Sequence, residues 1–147
     1  MEALLTAIVL WLSTTFNLPA TFENPRVEFI SATKMTALYS KSIGQHEQVA
    51  MVTNQPQPDV VSLYDHHAKT IYLLDGWNGK TPAELSILVH EMVHHLQTVG
   101  GLKFACPQER EELAYKAQER WLELFKHNLE QDFQLDPFSI LVKSKCL

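Results

Sequence analysis

The chain has 147 residues, enough for one domain that buries its own core. Its 46% hydrophobic and 20% charged residues are those of an ordinary globular protein. A net charge of −5 with no Lys/Arg cluster leaves no phosphate-binding footprint and excludes a nucleic-acid partner from the expectations. Nothing repeats, and residues 1–147 read as a single domain.

Ala3 to Leu12 is apolar apart from Thr6. That run is far short of the roughly 20 residues needed to span a bilayer, so no transmembrane segment is expected. Glu2 stands where an export signal would carry a basic residue. The segment is therefore read as a helix of the folded domain, from about residue 2 to Phe16, ended before Pro19. Arg26-Val27-Glu28-Phe29-Ile30 alternates and predicts a short strand. Residues 34 to 50 are ambiguous and are read as a helical turn followed by a strand near Val49–Val52. Asn54 to Asp59 is a loop, because Pro56, Pro58 and polar turn residues dominate it.

Val60–Tyr64 and Thr70–Leu74 predict a hairpin around Asp65-His66-His67-Ala68-Lys69, and Asp75 to Gly79 a turn. Thr81 caps a helix with Pro82 at its first position and Glu84 at its third, a capping-box arrangement. That helix runs to about Val99 and stops at Gly100-Gly101. A last long helix is expected from about Pro107 to Leu129, followed by an extended tail from Phe133 to Leu147. Helix, small mixed or antiparallel sheet, then two helices make the expected fold class α+β.

The chemistry lies in the second of these helices, at His90-Glu91-Met92-Val93-His94. Residues four apart differ by about 40° around a helix, so His90 and His94 project side by side and can share one tetrahedral ion. Glu91 lies about 100° from His90, flanking the ion, where it can act as general base on a water molecule. A five-residue pattern with three fixed positions also arises by chance. Apolar Met92 and Val93 inside it, and Ile87, Leu88, Val89 and Leu96 around it, favour the metal reading.

Catalytic zinc takes a third protein ligand. Gln97 and Gly100 stand where a metzincin would place Gly and a third His, so the remaining solution is a glutamate on the following helix. Glu109, Glu111 and Glu112 crowd its first turn. On a wheel with Glu111 at 0°, Tyr115, Gln118, Leu122, Phe125 and Leu129 fall within about 40°. Glu109 and Glu112 fall at about 160° and 100°, among Lys116, Glu119, Arg120, Glu123 and Lys126. Glu111 is the one acid of the buried arc, and a buried carboxylate needs a charge partner. Zinc would supply it; stabilisation by the helix N-terminus is the alternative.

With these residues the chain resembles the gluzincin metallopeptidases, which combine His-Glu-x-x-His with a downstream Glu on a second helix. Glu111-Glu112-Leu113-Ala114-Tyr115 resembles the Glu-x-x-Ala-Asp pattern of some gluzincin families, with Tyr115 where they carry Asp. Size and layout are similar to the single-domain minigluzincins. The chain is also similar to a bacterial zincin-like domain family built around the same His-Glu-x-x-His-His and Cys-Pro-x-Glu-Arg-Glu segments. The resemblance covers about residues 60 to 125. It implies a Zn²⁺ cofactor held by His90, His94 and Glu111, catalysis by Glu91, and a peptide or protein substrate. It also implies that Thr70–Leu74 is an edge strand that pairs with an extended peptide, although an ordinary sheet strand fits the same residues.

Cys106 and Cys146 are the only cysteines. One precedes a helix and the other is one residue from the C-terminus, which frays unless tied down. A disulfide between them is expected, and with it a periplasmic or secreted location. His95 is about 140° from His90 and is expected to pack or hydrogen-bond away from the metal. His66 and His67 read as solvated, and Trp11, Trp77 and Trp121 as core or core-covering. Tyr115 and Tyr72 are either core residues or phenols that stabilise an oxyanion. Two rival readings stay open: a zinc-binding regulatory module without turnover, and a latent peptidase whose tail lies over the cleft.

Overall fold

The computed structural model describes residues 1–21, 23–44 and 60–146. Among these the architecture is α+β, with six helices and one three-stranded sheet. Helix α1 (Glu2–Phe16) buries Leu5, Ile8, Val9 and Leu12, an apolar stripe at helical spacing. It ends where Asn17 turns left-handed at φ 54°, two residues before Pro19.

Strand β1 (Arg26–Ile30) runs parallel to β3 (Thr70–Leu74), and β2 (Ser62–Asp65) runs antiparallel to β3, giving the order β1-β3-β2. The expected hairpin is present, closed by the Asp65 carboxylate, which accepts the backbone N–H groups of His67 and Ala68 at 2.9 and 3.0 Å. His66 and His67 are exposed, as expected. The edge position expected of β3 is corrected. Its backbone is paired on both sides, and its Ile71 and Leu73 are fully buried, so it cannot take up a peptide strand. Tyr72 is excluded from the site by the same register. Ser62 and Tyr64 share the sheet face of Leu73 and Ile71, whereas Tyr72 pairs with Leu63 and Glu28 on the other.

Between β1 and β2 lies helix α2 (Ala32–Gly44), longer than the single helical turn expected, with Met35 fully buried. The strand expected near Val49–Val52 and the loop Asn54–Asp59 lie outside the described residues.

Helix α3 (Pro82–Val99) starts as expected, the Thr81 hydroxyl accepting the Glu84 N–H at 3.1 Å. The Glu84 carboxylate turns outward to the N–H groups of Asn78 and Lys80, so the capping box is half made. Residues 91–97 are all buried, because α1, the sheet and α4 surround this helix. Each fully buried Leu or Val of its core face contributes about 1.5–3 kcal/mol. At its end Gly100 lies against Pro19, whose Cγ would sit 2.6 Å from an added Cβ, and Gly101 takes φ 65°.

The long last helix is corrected into two pieces. Helix α4 (Glu109–Glu123) stops in a tight turn with Lys126 left-handed at φ 61°, and Asn128 caps a short α5 (Leu129–Phe133). Phe125, placed by the wheel in Glu111's arc, is therefore 43% exposed, and Leu124 beside it is 60% exposed. The extended tail is corrected as well. Asp136 accepts the Ser139 N–H at 2.7 Å and Pro137 occupies the first position of helix α6 (Pro137–Ser144). This helix packs along α4, where Lys145 pairs with Glu112, and Cys146 is bonded to Cys106 with Cα atoms 5.8 Å apart. No described helix is long and apolar enough to cross a membrane.

Candidate metal centre

Among the described residues, helices α3 and α4 make the most extensive contact between two elements, and the candidate site lies between them. One turn apart on α3, the His90 and His94 rings have centroids 5.0 Å apart. From the first turn of α4 the Glu111 carboxylate reaches both. Its Oε2 lies 2.9 Å from His90 Nε2 and its Oε1 3.2 Å from His94 Nε2. One ligand-capable atom from each residue lies within 4.8 Å of the others, so the group could hold a metal ion.

Of the three glutamates in this turn, Glu111 meets the histidines, half-buried instead of within a buried arc, and the other two have different partners. Glu109 is spent on the helix start, accepting the Ala105 N–H at 2.6 Å, and Glu112 faces Lys145 at 3.2 Å.

Electrostatics follow from holding one half-buried carboxylate, 31% exposed, against two imidazoles. For His94, burial opposes the charged form, but attraction to Glu111, a hydrogen bond with it and the Glu91 charge push the imidazole up to about 9. For Glu111, burial also opposes the charge, yet His94 and His90 outweigh it and hold the carboxyl far below the usual range. Burial, then the Glu111 charge, pushes the Tyr115 phenol well above its ordinary value, so it stays protonated at neutral pH. Its ring stands edge-on to His90 at 4.8 Å. Tyr39 of α2 feels Glu111 too: burial first, then that charge, raises it.

Glu91 is 5% exposed and accepts the Ser62 hydroxyl at 2.5 Å, so β2 holds the carboxylate beside the histidines. His95 is fully buried and turned away from the site, with Nε2 2.6 Å from the Glu23 carbonyl and Nδ1 3.0 Å from the Tyr64 hydroxyl. Each histidine of the site also meets a glutamine. His90 Nδ1 lies 2.9 Å from Gln118 Oε1, and His94 Nδ1 lies 3.0 Å from Gln97 Oε1.

The sequence model of the family described as Domain of unknown function (DUF6647) matches residues 1–147. The chain belongs to that family. Comparison with curated proteins and with solved structures gives no match. In this DUF6647 chain, sequence reasoning brought His90, Glu91, His94 and Glu111 to one place and passed over Gln97, Gln118, Ser62 and Tyr39. Gln118 lay in the same buried arc as Glu111, and a polar residue in such an arc is a signal of the same kind. Ser62 and Tyr39 carried no such signal, because only the docking of β2 on α3 and of α2 on the sheet gives them their place.

Proposed function

We propose that this DUF6647 chain is a zinc-dependent hydrolase, a metallopeptidase of gluzincin type. The observation that supports this above any other is the meeting of His90, His94 and Glu111 from two helices, with ligand-capable atoms within 4.8 Å. The donor set fits zinc: two imidazoles and one carboxylate are the three protein ligands of a catalytic zinc with an open fourth position. Magnesium or calcium would ask for a shell of oxygens.

When bound, the ion would act as a Lewis acid that makes water a stronger acid and polarises a carbonyl. Glu91 then has the proton work. It is a buried carboxylate one residue from His90, steadied by Ser62, and it would take a proton from the attacking water and return it to the leaving amine. Tyr115, protonated and against His90, is the better of the two tyrosines for stabilising an oxyanion. The edge-strand role implied for β3 passes to β2, which among the described residues pairs on one side alone and carries Ser62 next to the base. The cysteine bridge supports an oxidising compartment, periplasmic or secreted.

Glu91→Gln should keep its zinc and lose hydrolysis of a mixed peptide library. A variant that cleaves like the parent would remove Glu91 from the mechanism. A parent that loads zinc and cleaves nothing would favour a non-catalytic zinc module.

A further inference from the structure

We infer that Gln118 and Gln97 are positioning residues that force His90 and His94 into the tautomer able to bind a metal through Nε2. The inference rests on the metal reading above and concerns a part of it that the ligands alone leave open, namely which ring nitrogen carries the hydrogen.

An imidazole can present either nitrogen to a metal, and the choice is set by what the other nitrogen meets. A glutamine amide offers an acceptor at one end and a donor at the other, so its own orientation must be established first. For Gln97 it is settled by a backbone carbonyl. The Gln97 amide N lies 3.1 Å from the Arg110 carbonyl oxygen, which can only accept. The amide oxygen is therefore the end that faces His94, and His94 Nδ1 must be the donor.

For Gln118 the chain is one bond longer. The Ser86 hydroxyl donates to the Ala83 carbonyl at 2.7 Å, so its oxygen is free to accept the Gln118 amide N at 3.2 Å. Gln118 Oε1 is then left for His90 Nδ1, which again must donate. Gln97 and Gln118 are 2% and 5% exposed, so water does not compete for these bonds. Both rings thus keep Nδ1 as the N–H and turn Nε2 toward Glu111, and a metal takes the place of any proton there.

The two supports differ in a way that can be measured. At position 118 a carboxylate is tolerated, because the Ser86 hydroxyl can rotate and donate to it, and a carboxylate makes the histidine a stronger ligand. At position 97 a carboxylate would put a second acceptor oxygen against the Arg110 carbonyl. Gln118→Glu should therefore bind zinc at least as tightly as the parent, and Gln97→Glu more weakly.

The test is zinc affinity by competition with a chromophoric chelator, on the full chain and its variants, with nitrogen-15 NMR of the histidine rings in the zinc-loaded parent. Gln118→Leu and Gln97→Leu should each lose about 10–100-fold in affinity. The parent should show Nδ1–H on both rings and zinc shifts on both Nε2. Leu variants that bind zinc as tightly as the parent overturn the inference. So does an Nδ1-bound ring in the parent, a reading that stands even if a Leu variant fails to fold. A parent that binds no zinc overturns the metal reading itself.

Discussion

The bond between Cys106 and Cys146 joins residues 40 apart and ties the C-terminal helix to the approach of α4, five residues before Glu111. Replacing both cysteines by serine removes that constraint from the unfolded chain. With a 40-residue loop the chain-entropy relation gives roughly 13 cal/mol/K, or about 4 kcal/mol at 25 °C. Unfolding entropy near 2.1 cal/mol/K per residue makes this a melting shift of roughly 13 °C for 147 residues. The native side loses little besides the bond, since α6 buries Ser144 and leaves Phe138, Leu141 and Val142 exposed. The assay is urea titration and thermal melting of chelator-treated Cys106→Ser/Cys146→Ser against the oxidised parent. A loss below about 1 kcal/mol would refute the reasoning, because then the unfolded chain is not what the bridge restrains.

Further outcomes are expected. In metal-free protein the His94 imidazolium, raised to about 9 by Glu111, contributes stability that is full below its ordinary value of 6.5 and is lost as pH rises through about 9. Melting temperature should therefore fall across that window, and a rise would contradict the pairing. Leu96→Ala, at a fully buried site on α3, should cost about 3 kcal/mol in denaturant unfolding. Gly100→Ala should cost about 1–3 kcal/mol, since its Cβ would meet Pro19 Cγ at 2.6 Å and the Leu96 carbonyl oxygen at 2.9 Å. A neutral result there would mean that the α1–β1 link yields freely.

What could be read from the sequence was local or periodic. The apolar run from Ala3 to Leu12 with its stop before Pro19, the Thr81 cap and the 3.6-residue arc holding Glu111 each state their structure within a few turns. The last helix failed where the periodicity ran on past Glu123, since the apolar residues Leu124 and Phe125 continued a pattern that the left-handed Lys126 breaks. The tail failed through a missed signal, the Asp136-Pro137 start of α6. Strand order was beyond reach, because β1 pairs in parallel with β3 across 39 residues and only the assembled sheet puts β3 at the centre. Glu91 was legible as a residue and not as a position, because Ser62 and the sheet that carries it come from elsewhere in the chain.

The most direct test of the account is the metal content of the chain purified without chelator or nickel resin. One zinc per chain is predicted for the parent, Glu91→Gln, Glu109→Ala and Glu112→Ala, and none for Glu111→Ala. Full zinc in Glu111→Ala, or its loss in Glu112→Ala, would contradict the three-ligand centre.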